Sequence, residues 1–173
     1  MNDNTLIEEN ILINIIKHLC IGIKEIHDSN IIHRNLKPEN IFINKNMNIK
    51  IGDFGISKQF DSYKIQIINN KVGTSYNIAP EILKNGIYNE KSYIYSLGGI
   101  IYELFNLSIY FKDKISDEIK KINNIYNNKW QILIDSLLQS DYNKRFDIYK
   151  VIQFLENELN NKIIGEIYIK KKM

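Results

Sequence analysis

The chain has one cysteine and two prolines in 173 residues. A lone thiol, Cys20, excludes an internal disulfide and suits a reducing compartment. It lies in an apolar helical stretch, where a packed core thiol is expected over a reactive one. No run reaches the roughly 18 apolar residues that a membrane span needs. The most apolar early segment, ILINIIKHLCIGI, is broken by Asn14, Lys17 and His18. It also lacks the charged start and small-residue cleavage site of a signal peptide. A cytoplasmic setting is expected, with the nucleus left open, and no membrane partner. The formal net charge of +3 is small and scattered, so nothing argues for a nucleic-acid partner. Basic residues gather only at the end, in IYIKKKM, which reads as a solvated tail over 161–173.

What is present is ordinary for a globular protein: 44% hydrophobic and 25% charged residues, in a length that suits one domain with a real core. That domain is placed at residues 1–160. Residues 8–29 carry Leu12, Ile15, Ile16, Leu19, Ile23 and Ile26 on one helical face. Two β-branched runs, IFI at 41–43 and IKI at 49–51, flank the polar NKNMN and predict a β-hairpin. Residues 55–80 lack sustained periodicity and read as a long ordered loop, a feature that is usually functional. Residues 91–107 predict a helix too apolar all round to lie on the surface. Further helices are expected over 116–126, 130–140 and 147–160. The fold class is thus mainly α with a small β-hairpin.

Both prolines, Pro38 and Pro80, fall inside motif-like strings: HRNLKPEN at 33–40 and GTSYNIAPE at 73–81. Between them lies GDFG at 52–55. Downstream come KSYIYSLGGIIYEL at 91–104 and LLQSDYNKRF at 137–146. In this order the five strings resemble the C-terminal lobe of a eukaryotic protein kinase, over roughly residues 10–157. The form LKPEN resembles the serine/threonine class. The resemblance implies a kinase-like C-terminal lobe lacking its N-terminal lobe, with Mg²⁺ and ATP as cofactors and a protein as substrate or partner.

It also implies roles for single residues. Asp53 offers an anionic oxygen for Mg²⁺, and Asn40 an amide oxygen for a second metal contact. Lys37 matches a cation that meets the transferred phosphate. Thr74 matches a threonine that contacts the catalytic loop. His33 and Phe54 match packed residues that hold the active arrangement. Glu81 and Arg145 match a buried ion pair, whose rupture costs about 3–5 kcal/mol.

Three departures run against activity. Asn35 stands where the family has an aspartate that takes the substrate hydroxyl's proton. A carboxamide can accept a hydrogen bond but cannot take a proton at neutral pH. Losing a positioned base costs about 10²- to 10⁴-fold in rate. Tyr93 stands where an aspartate braces the catalytic loop, so a buried donor is expected to go unpaired, at about 1–3 kcal/mol. No glycine-rich phosphate loop, VAIK-like lysine or partner glutamate is found, so ATP binding by this chain alone is expected to be weak. Arg34 matches the arginine that pairs with an activation-loop phosphate. The usual acceptor place is held by Asn69, Asn70 and Lys71, with Ser62 and Tyr63 further back, so no ordering by phosphorylation is expected there.

Three readings follow. One is a degenerate (pseudo)kinase lobe acting as a binding module. Another is a slow serine/threonine kinase whose small lobe is supplied elsewhere. The third is a fragment with no selected role.

Overall fold

The computed structural model describes residues 6–59, 66–67, 78–107 and 121–158. The longest helix, α1, runs Glu9–Asp28. It buries Leu12, Ile15, Ile16, Leu19, Cys20 and Ile23 along one stripe. Full burial stabilises by about 1.5–3 kcal/mol per aliphatic side chain of this size, before chain entropy is set against it. Burial also pushes the Cys20 thiol up to about 12, so it is a packed thiol with no thiolate at neutral pH. The chain leaves α1 through Asn30, whose φ of 54° is left-handed, a conformation asparagine tolerates.

The strand β1 (Ile31–Ile32) follows, then β2 (Ile41–Ile43) and β3 (Ile49–Ile51). The last two form the expected hairpin, with Phe42 opposite Lys50. Its turn is closed by Asn44, whose side-chain oxygen accepts from the Asn46 and Asn48 amides at 2.9 and 3.0 Å. This is the local bonding that draws asparagine into turns. The region predicted as loop carries two short strands, β4 (Lys58–Gln59) and β5 (Gln66–Ile67). β4 pairs antiparallel with β1, and β5 pairs with β6 (Ile87–Tyr88). Two-residue strands carry no sequence period, so these pairings are set by tertiary placement.

A short helix, α2 (Pro80–Asn85), begins with proline and ends at Gly86, whose φ of 66° is the left-handed cap that glycine favours. Helix α3 (Glu90–Asn106) opens with a reciprocal capping box: Asn89 accepts from the Ser92 amide, and Ser92 Oγ accepts from the Asn89 amide. Its residues 92–102 are all buried, as the apolar run predicted. Helices α4 (Asn128–Leu137) and α5 (Ile148–Glu158) complete the described core. Trp130 of α4 is fully buried against Phe105, and its indole N–H donates to Glu9 Oε1 at 2.7 Å. That bond ties α4 to the first turn of α1.

The helix expected over 116–126 is not found in its described part, residues 121–126. Asn123 instead accepts from the Ile125 amide at 3.2 Å, and the Ile122 amide donates to Gln131 Oε1 at 2.8 Å. Side chains thus take the backbone bonds that a helix would use. Residues 116–120 and the basic tail lie outside the described residues. No helix among the described residues is long and apolar enough to cross a membrane.

Candidate functional site

The site is two loops sewn together. One is His33–Lys37, between β1 and a 3-10 turn at Pro38–Asn40; the other is Gly52–Ile56, after β3. Proline fixes the first φ of the 3-10 turn. The Asn40 amide then donates to Lys37 O at 3.0 Å. Two bonds join the loops at Gly52. Its amide donates to Asn40 O at 2.9 Å, and its carbonyl accepts from His33 Nε2 at 2.8 Å.

That second bond sets the histidine's tautomer. Because Nε2 carries the proton, Nδ1 is free to accept, and it does so from the Asn35 amide at 3.3 Å. The ring is buried, which lowers its pKa and keeps it neutral. Its edge meets the half-exposed Phe54 ring, with centroids 4.6 Å apart. His33 is thus held at both ring nitrogens, with Phe54 against its edge.

Arg34 and Asp53 both hold left-handed backbone, at φ 64° and 62°. Neither is glycine, so each turn carries local strain that the loop bonds must hold. Arg34 Nε donates to the Ile56 carbonyl, which fastens the first loop to the chain beyond GDFG. The polar centre is compact. Asn35 Nδ2 donates to Asp53 Oδ2 at 2.9 Å, and Asn40 Nδ2 lies 3.3 Å from the same oxygen. Asn40 Nδ2 also donates to Asn35 O at 2.7 Å. Thus Asn35, Asn40 and Asp53, separated by up to 18 positions, converge on one carboxylate oxygen. Lys37 is half-buried beside them in the chain, with extended backbone.

This donor set fits a hard divalent cation. Asp53 supplies an exposed carboxylate, and Asn40 an amide that can present oxygen in place of nitrogen. Among the described residues no three His, Cys, Asp or Glu side chains gather as a metal site, here or elsewhere. One carboxylate with few protein ligands suits Mg²⁺, which usually keeps waters and shares ligands with bound phosphates.

Tyr93 behaves differently from expectation. It was expected to leave a loop donor unpaired, yet its hydroxyl accepts from the Arg34 amide at 3.4 Å. The phenol is longer than an aspartate, so it can reach the loop from α3. The contact is long, hence weak. Burial pushes the Tyr93 pKa well up, so the group stays a neutral phenol. Its ring rests on His27 of α1, with centroids 5.2 Å apart. His27 was not singled out from the sequence; its signal is only a histidine at the inward end of an apolar helix.

Glu81 and Arg145 meet as a buried pair. The fork is two-pronged, with Nη1 to Oε1 at 2.7 Å and Nη2 to Oε2 at 2.6 Å. Ser92 Oγ adds a bond to Glu81 Oε1 at 2.8 Å, and Tyr95 lies under the guanidinium at 4.9 Å. Neither Ser92 nor Tyr95 was singled out; both stand in KSYIYSLG, where helical spacing marks them only as interior. Thr74, Ser62, Tyr63, Asn69, Asn70 and Lys71 lie outside the described residues.

Comparison with known proteins identifies the family. The chain matches the protein kinase domain over residues 1–155. It is 36% identical to serine/threonine-protein kinase Nek1 of Mus musculus over 107 residues, 62% of this chain and 9% of that protein. It is 33% identical to serine/threonine-protein kinase Nek5 of Homo sapiens over 161 residues, 86% of this chain and 23% of that protein. Nek3 of Mus musculus, also a serine/threonine-protein kinase, is 39% identical over 99 residues, 57% of this chain and 19% of that protein. The chain spans about a tenth to a quarter of the length of these curated relatives.

Proposed function

The chain belongs to the eukaryotic serine/threonine protein kinase family, and from that premise we propose a catalytically impaired kinase domain that works by binding a protein. In this reading the chain corresponds to the family's C-terminal lobe. The observation that carries the reading is the Asn35–Asp53 hydrogen bond. A general base must present a lone pair and then hold the proton it takes. Asn35 can do neither with the nitrogen it turns into the pocket. The loss expected is about 10²- to 10⁴-fold in rate. ATP and Mg²⁺ are the family's cofactors, and when bound Mg²⁺ would neutralise phosphate charge. Asn40 and Asp53 would hold it, and Lys37 would meet a phosphate, as the family resemblance implies.

A second reading is a slow serine/threonine kinase whose nucleotide cover comes from sequence outside these 173 residues. The closeness of Asn40 to Asp53, 3.3 Å, favours it, because a wholly decayed site has no reason to keep both. A phosphotransfer assay with Mg-ATP and a Ser/Thr-rich protein substrate tests the choice. It compares the chain, with and without an added kinase small lobe, against its Asn35→Asp variant. No transfer by the unchanged chain, and transfer by Asn35→Asp with the small lobe, is the expected result. Turnover by the unchanged chain near the rate of the variant would overturn the first reading.

A further inference from the structure

We infer that the Asn35 amide is an internal substitute for a cation at Asp53, and that it lowers the pocket's affinity for divalent metal. The inference rests on the reading of Asn40 and Asp53 as the metal side of the site. It goes beyond the loss of a base.

The orientation of Asn35 is chemically forced. An ionised carboxylate only accepts hydrogen bonds, so the group 2.9 Å from Asp53 Oδ2 must be the amide's N–H. The second N–H near that oxygen, from Asn40 at 3.3 Å, follows the same rule. Two donors therefore meet one oxygen of the carboxylate. They supply part of the positive potential that a metal would supply there, and bonds of this kind are charge-assisted. A cation taking Oδ2 must first displace Asn35, and Asn40 must turn its oxygen inward. Both rearrangements weaken metal binding. The backbone is already committed to this arrangement, because Asp53 sits at φ 62° and Gly52 is bonded to both His33 and Asn40.

An aspartate at position 35 would reverse the situation. It has no N–H to donate, and it would place a second carboxylate about 3 Å from Asp53, where like charges repel unless a cation lies between them. The single change from carboxylate to carboxamide thus removes a base and also lets the pocket close on itself without metal.

The test is calorimetric titration of Mn²⁺ alone, without nucleotide, into the full chain and its Asn35→Ala, Asn35→Asp and Asp53→Ala variants. Asn35→Ala frees Asp53 without adding charge and should bind Mn²⁺ roughly threefold tighter than the unchanged chain. Asn35→Asp adds a ligand charge and should bind roughly tenfold tighter or more. Asn35→Asp should also melt lower than the unchanged chain without metal and gain more on adding it. Asp53→Ala should bind weakest of the four. Equal affinity in the unchanged chain and Asn35→Ala overturns the inference, as does undiminished binding in Asp53→Ala. Should Asn35→Asp fail to fold, the Asn35→Ala comparison alone decides. The outcome is separable from the activity assay: fast turnover sinks the proposed impairment and leaves these affinities untouched, while equal affinities sink only the present inference.

Discussion

Arg145 and Glu81 are joined across 64 positions of sequence by two parallel bonds of 2.7 and 2.6 Å, with both side chains buried. The arginine is also satisfied on its remaining donors. Nε gives to Gln139 O at 2.7 Å, Nη1 to Lys91 O at 2.9 Å, and Nη2 to Ser140 O at 3.4 Å. One guanidinium thus fastens α2, the start of α3 and the loop after α4. A buried charge of this kind fixes geometry more than it adds net stability.

Removing either partner strands the other. Arg145→Met leaves Glu81 as a buried carboxylate with only Ser92 beside it among the described residues, and three backbone carbonyls lose a donor. The expected loss is about 3–5 kcal/mol, which for a chain of this size lowers the melting temperature by roughly 6–20 °C. Arg145→Lys rescues little, because an ammonium cannot form the two-pronged fork. Adding Glu81→Leu to Arg145→Met should recover part of the loss, since no charge is then stranded. Full recovery is not expected, as the carbonyls stay unmet. Thermal melts of the three variants and the unchanged chain check this ordering.

Tyr93→Phe isolates one hydroxyl. The ring keeps its seat on His27, while the Arg34 amide loses its acceptor. A hydrogen bond contributes about 0.5–1.5 kcal/mol net, and at 3.4 Å the lower end applies. Global stability should fall by about 0.5–1 kcal/mol. The sharper readout is amide hydrogen exchange at Arg34, which should quicken several-fold while α3 stays protected. Unchanged exchange at Arg34 would mean that the phenol does not brace the loop.

The long elements were legible because they carry a period. α1 and α3 fall within about a residue of their predicted ends, α1 through its apolar stripe and α3 through its unbroken apolar run. The hairpin was legible from its β-branched runs. By contrast, α2 has six residues and β1 two, too few for any pattern to rise above chance. In the described part of the helix expected at 116–126, residues 121–126, the apolar spacing misled, because Asn123 bonds the nearby Ile125 amide and Gln131 of α4 claims the Ile122 amide. At the site, the residue types were legible and their directions were not. Sequence shows that Asn35 is no base; only geometry shows it donating to Asp53. Likewise an aspartate was expected at 93, but the reach of the phenol found there, from α3 to Arg34, depends on how α3 packs.

The second helix-borne histidine makes the fold sensitive to acid. His27 is held neutral by burial, which moves its pKa from 6.5 down to about 4, against a smaller opposing pull from Asp28. The unfolded chain takes up this proton near pH 6.5, and the folded chain only near 4. His27 therefore costs no stability above about pH 6.5 and a growing amount as pH falls toward 4. The full loss is roughly 3 kcal/mol. His33 shifts in the same direction and adds to the fall. Urea midpoints measured from pH 7.5 to 4.5 should decline, and His27→Gln should flatten the curve. An equally steep decline in His27→Gln would reassign the effect to other groups.

A last prediction sets two opposed effects against each other at Gly98. Replacing a mid-helix glycine with alanine ordinarily stabilises by up to about 1 kcal/mol, through chain entropy. Here, however, an added methyl would lie 2.9 Å from Leu137 Cβ and from Leu138 Cγ and Cδ2. Leu137 and Leu138 are buried, and a Cβ cannot swing aside without moving its backbone. Gly98→Ala must therefore push α4 away from α3, at about 1–3 kcal/mol for overpacking. Overpacking wins, and the variant should be less stable by roughly 1–2 kcal/mol. Chemical denaturation of the pair measures it. A stabilised Gly98→Ala would show that α3 and α4 do not approach this closely in solution.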